Sequence, residues 1–144
     1  MKLSKYFDTT TDPKLLCGCG CTAPDWVIAN LKEVCKQADK IREILGIPIS
    51  VNSGYRCKAY NRKIGGARFS QHRKGTALDL NINWSQHWAL RIFNEARKIG
   101  GIGGVGIYDS FCHIDTRRRL MNKVLAKFGG NKQTTWDERT LRPR

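Results

Sequence analysis

Three side chains of metal-ligating type follow one another in an order that would let a small fold bring them together: His72, Asp79 and His113. His72 closes a polar, glycine-containing stretch, and Asp79 falls in the β-prone run after it, so a turn can fold the histidine back onto the strand. His113 sits in a later β-prone run. Two imidazoles and one carboxylate leave the fourth tetrahedral position to water, the donor set of a catalytic and not a structural zinc. Taken alone, His-x(6)-Asp is a loose pattern, and it equally suits ordinary polar residues with Asp79 satisfying a neighbouring amide.

The elements that must position these residues can be read from periodicity. Thr22 and Asp25 form a capping-box-like pair with Pro24 in the first turn. Trp26, Val27, Leu31, Val34, Ala38, Ile41 and Leu45 then recur at helical spacing until Gly46, predicting a helix over 24–45. Pro48 to Asn52 reads as a strand, Gly54 to Gly75 as a long functional loop, and Thr76 to Ile82 as a second strand. Ser85 can cap a helix running to about Lys98, broken by the glycine cluster at 100–104. Val105 to Tyr108 and Phe111 to Thr116 read as two strands joined by a tight turn at Asp109-Ser110. Leu120, Met121, Val124, Leu125 and Phe128 suggest a last helix. The expected fold is therefore α+β, a small single domain with a central antiparallel sheet flanked by helices and the metal site on the sheet and adjoining loop. Residues 1–21 are expected to be a loosely held segment with a Cys-Gly cluster, 22–128 the domain, and 129–144 a basic tail.

Composition bounds the function. The chain has 144 residues with 26 Lys+Arg against 12 Asp+Glu, a net charge of +14. Nine basic and two acidic residues lie between Arg117 and Arg144. Such a balance favours an anionic partner, namely nucleic acid, an anionic membrane face or a bacterial wall. A nucleic-acid reader motif is not recognisable, and a membrane span would need a much longer apolar run. The polar start has no apolar signal core, so the expectation is synthesis in the cytoplasm. Cys17, Cys19, Cys21, Cys35, Cys57 and Cys112 are then read as free thiols. Cys17, Cys19 and Cys21 with Cys35 would offer four thiolates to a structural zinc, but the spacing is not that of a zinc ribbon.

The residues around the three ligand candidates form one ordered series. Ser53-Gly54-Tyr55-Arg56, Asn61, Ile64-Gly65-Gly66-Ala67, Ser70-Gln71-His72 and Gly75-x-Ala77-x-Asp79 are followed by Gly104-Val105-Gly106-Ile107-Tyr108 and Phe111-Cys112-His113-Ile114-Asp115-Thr116-Arg117. Over about Leu31 to Arg117 this series resembles the zinc D-alanyl-D-alanine carboxypeptidase-like peptidases that act on bacterial peptidoglycan. The resemblance implies Zn2+ on His72, Asp79 and His113. It also implies that Arg56 binds the substrate carboxylate, for which a planar fork of donors is suited, and that Ser70 lies beside the substrate.

In that family the proton-transferring carboxylate often stands three residues before the last histidine, and that position here is Ser110. Asp109, one residue earlier, is the preferred base. Asp115, two residues after His113 and on the same strand face, is the alternative, and it equally suits a supporting role behind the histidine. His87, on the predicted second helix, reads as a packing or solvent-facing residue.

The expected function is a zinc peptidase cleaving D-amino-acid-containing bonds in the peptidoglycan stem peptide, as a D,D-carboxypeptidase or an endopeptidase. A small basic chain of this kind suits a phage lysis enzyme or a phage-particle wall hydrolase, monomeric and held on the anionic wall. The alternative keeps fold and zinc without catalysis, as a wall-binding or structural module.

Overall fold

The long first helix, α1, spans Asp25–Leu45 because its apolar residues fall on one stripe. Val27, Leu31, Val34, Ala38, Ile41 and Leu45 are all buried, each of the Val, Leu and Ile side chains contributing about 1.5–3 kcal/mol of burial. Trp26 stands roughly 100° around the helix from Val27, off that stripe, and is exposed. The expected capping pair is not formed. Pro24 occupies the N-cap in extended conformation without a side-chain cap, and its carbonyl accepts from the Val27 and Ile28 amides. Gly46 ends the helix at φ 65, where a side chain would be strained.

A computed structural model describes residues 1–81, 86–108, 110–117, 126–127 and 133–138. Beyond α1 these form α2 (Lys58–Lys63) and α3 (Gln86–Ala96), with strands β1 (Ser50–Ser53), β2 (Ala77–Asn81), β3 (Gly104–Tyr108) and β4 (Phe111–Asp115). Short strands β5 (Ala126–Lys127) and β6 (Gln133–Glu138) follow, and single 3-10 turns cover Pro13–Leu15 and Gln71–Lys74. The sheet runs β1-β2-β4-β3-β6-β5, with every neighbouring pair antiparallel. The α+β class and the antiparallel sheet are thus as expected.

Strand alternation divides the sheet into two faces. Leu78 and Leu80 of β2, Val105 and Ile107 of β3, and Cys112 and Ile114 of β4 are buried in the core, and α1 and α3 pack on the sheet. On the other face of the same strands lie Asp79, His113 and Asp115, with Gly104 and Gly106 opposite the last two. The helices therefore build the core on one side and leave the polar side to the site.

Several segments depart from expectation. The stretch from Gly54 to Gly75 contains α2 and a 3-10 turn, begun by Cys57 and Ser70, whose side chains accept from the Tyr60 and His72 amides. The first 21 residues are packed and not loose. Leu3, Phe7, Leu15 and Cys17 join the core, and buried Asp39 of α1 accepts from Ser4 Oγ at 3.0 Å and from the amides of Lys5 at 3.1 Å and Tyr6 at 3.2 Å. Of the expected last helix, 118–125 and 128 lie outside the described residues, and Ala126–Lys127 is strand β5. Within the expected basic tail, β6 pairs with β3.

The Asp39 latch makes a stability prediction. Asp39→Ala leaves two amides and a hydroxyl without their acceptor, so the urea midpoint should fall by the equivalent of about 1–3 kcal/mol with the slope unchanged.

Candidate metal centre

The site starts from register. Asp79 of β2 lies directly opposite His113 of β4, and the two side chains leave the sheet on the same face. His113 Nδ1 is 3.1 Å from Asp79 Oδ1. His72 arrives from the 3-10 turn before β2, and its Nε2 is 3.2 Å from the same Asp79 oxygen. The two imidazoles meet edge to face with centroids 5.1 Å apart. His72, Asp79 and His113 are all buried and each offers one ligand atom within 4.8 Å of the others.

Each histidine is held by its second nitrogen. His72 Nδ1–H donates to the Gly54 carbonyl at 2.7 Å, which leaves Nε2 to face Asp79, as a donor when the ring is protonated and as a lone pair for a metal when it is not. His113 Nε2–H donates to Asp115 Oδ2 at 2.8 Å, which leaves Nδ1 to face it. This pairing of an imidazole with a carbonyl or carboxylate behind it is how metal-ligating histidines are oriented and made more basic. Two nitrogens and one oxygen thus converge with their backing already in place, and this donor set fits zinc.

Electrostatics follows from the burial. For Asp79, burial favours the neutral acid, but the charge of His72 and the hydrogen bonds from both histidines outweigh it and hold the carboxyl below its usual range. Burial works the same way on Asp115, where His113 and then Arg117 outweigh it and bring the carboxyl down to about 2. The reverse holds for His113: burial disfavours the imidazolium, yet Asp115 and Asp79 push it up to about 9. In the metal-free centre His113 is therefore the counter-charge between two carboxylates, and an incoming cation displaces its proton.

The other sequence candidates fall as follows. Arg56 is aimed at the centre: Nη2 donates to Asp79 Oδ2 at 3.3 Å, Nε to Ser53 Oγ at 2.9 Å and Nη1 to Asn61 Oδ1 at 3.2 Å. Ser70 is half-buried, and its hydroxyl accepts from the His72 amide at 3.2 Å, fixing the turn that carries the ligand. Asp115 is fully buried, with Oδ2 accepting from His113 and Arg117 Nη2 and Oδ1 from the Arg117 amide and Nε. Asp109 lies outside the described residues, whereas Ser110 is exposed. Cys112 points into the core, away from His113, and the side chain of His87 is outside the described residues.

Several contributors stand in the ordered series without a role assigned to them from sequence. Asn61 is buried between Arg56 and the Ala67 carbonyl, to which its amide donates at 2.8 Å. Arg117 clamps Asp115, and Gly104 is the space that clamp needs, because a Cβ there would meet Asp115 Oδ2 at 2.5 Å. Tyr108 stacks on Phe111 at the β3–β4 turn, and its phenol is pushed up by burial and by Asp79. Their roles show only in space, as where Gly104 lies opposite Asp115 across the β3–β4 pair.

Asp115→Ala removes the acceptor that fixes the His113 tautomer. Zinc affinity measured by competition with a chromogenic chelator should fall by about 10–100-fold while far-ultraviolet circular dichroism stays that of the wild type.

No curated protein matches the chain by sequence. The family model described as Peptidase M15 matches residues 10–115, a span that includes all three ligand candidates, Arg56 and the first part of the chain back to the Pro13–Leu15 turn. That span covers most of the chain and ends on the Asp115 that backs His113. The donor set and the match agree, and the chain belongs to the peptidase M15 family of zinc-dependent metallopeptidases.

Proposed function

We propose that the protein hydrolyses D-amino-acid-containing peptide bonds in peptidoglycan stem peptides, as a D,D-carboxypeptidase or an endopeptidase. The observation that carries this reading is the convergence of His72 Nε2, Asp79 Oδ1 and His113 Nδ1 with the Arg56 guanidinium beside them. Zinc, when bound, supplies Lewis acidity: it brings a ligated water towards a pKa of about 7 and polarises an amide carbonyl.

The chain's own residues do the rest. Gly54 and Asp115 hold the two imidazoles with the correct nitrogen inward. Arg56 grips the substrate carboxylate. A guanidinium has five N–H donors, and Ser53, Asn61 and Asp79 engage three of them, so the fork is pre-aimed and retains donors for a ligand. The proton of the attacking water goes to a carboxylate and returns to the leaving amine. Asp115 is enclosed by His113 and Arg117, which favours Asp109, four residues before His113 in sequence, for that task. Ser70 supports the reaction by holding the His72 turn beside the substrate.

The charge of +14 suits retention on an anionic wall, and the small basic chain suits a phage lysis enzyme or virion wall hydrolase that acts as a monomer. Nucleic acid would meet the same charge, but without a reader motif it is not the partner proposed. A second reading, a zinc-holding wall-binding module without catalysis, draws on exposed Ser110 at the usual base position.

One assay separates the two. Zinc-loaded protein should release new amino groups from purified peptidoglycan, His72→Ala should release none, and Asp109→Ala should be slower by about 10²–10⁴-fold. Release should also fall as salt is raised, because retention on the wall is screened. Zinc-loaded wild type that releases nothing from several wall types overturns the peptidase reading and leaves the binding module. Arg56→Lys should raise KM more than it lowers kcat, since it loses the bidentate grip on a carboxylate.

A further inference from the structure

A second cluster of metal-ligating type stands outside the centre described above. Cys17, Cys19, Cys21 and Cys57 each place a sulfur within 4.8 Å of the other three. Cys17 Sγ is 3.3 Å from Cys19 Sγ, which is 3.7 Å from Cys57 Sγ. Four sulfurs at tetrahedral corners about 2.3 Å from one zinc ion are about 3.8 Å apart, so the cluster already has the dimensions of such a site. Cys35, the fourth donor suggested by sequence order, is fully buried on α1 in the core and takes no part.

The backbone explains how a Cys-Gly-Cys-Gly-Cys run achieves this. The Gly20 amide donates to the Cys17 carbonyl at 3.0 Å, closing a turn, and Gly20 sits at φ 81, where a side chain would be strained. The turn curls the three loop sulfurs together. Cys57 comes from the far side, as the N-cap of α2. Two backbone amides already point at sulfur: Cys57 N–H at Cys17 Sγ, 3.3 Å, and Tyr60 N–H at Cys57 Sγ, 3.4 Å. A thiol is a weak acceptor, whereas a thiolate is a good one, so these amides suit sulfurs that have lost their protons to a metal.

Disulfides fit the arrangement less well. Any division of the four into two pairs joins two cysteines within the 17–21 turn, across one or three residues, while one tetrahedral ion takes all four where they stand. We propose that Cys17, Cys19, Cys21 and Cys57 form a second, structural metal site, a closed tetrathiolate that binds zinc. Binding forms four S–Zn bonds, and the four thiol protons pass to solvent.

The site would brace the first centre. It ties the 17–21 turn to Cys57, the residue after Arg56 and three after Gly54. Arg56 donates to Asp79, and the Gly54 carbonyl accepts from His72. The same segment is tied to the N-terminal part by Gly54 N–H to the Lys14 carbonyl at 2.8 Å and Tyr55 N–H to the Leu15 carbonyl at 2.9 Å. A closed ion with no open position has no chemistry of its own, so its effect is on the placing of Arg56 and His72.

Metal analysis of the full chain tests this without any activity assay. Wild type should carry two zinc ions per chain, and His72→Ala and Cys57→Ser should each carry one. Cobalt(II)-loaded His72→Ala should show an intense sulfur-to-cobalt charge-transfer band, which a histidine–carboxylate site cannot produce. Titration with an organomercurial should release one zinc per four thiols. If Cys57→Ser does not fold, the wild-type stoichiometry and the His72→Ala cobalt spectrum still decide. A single wild-type zinc that Cys57→Ser retains, a cobalt spectrum without the charge-transfer band, or only two titratable thiols in denaturant, those of Cys35 and Cys112, overturns the proposal.

Discussion

The register between β2 and β4 is the constraint on which the rest depends. With Asp79 opposite His113, Leu80 opposite Cys112 and Leu78 opposite Ile114, each strand sends polar residues to one face and apolar ones to the other. A slip of one residue would exchange the faces, driving His113 into the core and Cys112 out of it. The burial of Leu78, Leu80, Cys112 and Ile114 under α1 and α3 makes that slip prohibitive. The hydrophobic core therefore sets the distance between two of the three metal donors, and no interaction within the centre needs to.

Burying two carboxylates this deeply demands compensation, since an uncompensated buried charge is far costlier than a surface one. The chain supplies it in series: the Gly54 carbonyl, His72, Asp79, His113, Asp115 and Arg117 form one continuous run of hydrogen bonds, with Arg56 entering at Asp79. Only the arginines at either side carry permanent positive charge. The middle is balanced by protons on imidazole, which a divalent cation can replace. A site satisfied in both states can be fully formed before the metal arrives, and that is what a preorganised centre requires.

Much of this was legible in the sequence where the signal is periodic. The α1 stripe and the alternation in β2 and β4 report local geometry, so the fold class followed from them, whereas the convergence of His72, Asp79 and His113 was implied by the resemblance carried by the ordered series from Ser53 to Arg117. What escaped depends on partners distant in sequence. The packing of residues 1–21 rests on Asp39 thirty-odd residues on, and no pattern in a polar segment announces it. Cys57 begins α2 with a side chain seldom used as a cap, so the helix was hidden in what read as loop. The three clustered cysteines show the same limit, because Cys35 is the next sulfur in sequence whereas Cys57 is the one near in space.

The segment between β1 and β2 joins these threads. It supplies Gly54, Arg56, Asn61, Ser70 and His72, yet most of its side chains are exposed or half-buried, and few of them belong to the core. It must then be held by polar contacts at several points: Asn61 ties Arg56 to the Ala67 carbonyl, Asn30 of α1 donates to the Lys74 carbonyl at 2.9 Å, and the Lys14 and Leu15 carbonyls take the amides of Gly54 and Tyr55. Gly75 closes it at φ 74, against Val27 of α1, where a Cβ would have no room. Hydrogen bonds of this kind contribute about 0.5–1.5 kcal/mol each, and the segment has several where a strand has a whole ladder. The strand-borne donors Asp79 and His113 are placed by the core, while His72 and Arg56 are placed by a stitched loop. Any change in the centre's geometry must enter through that loop, and the fastening of its first residues to the N-terminal segment is what limits it.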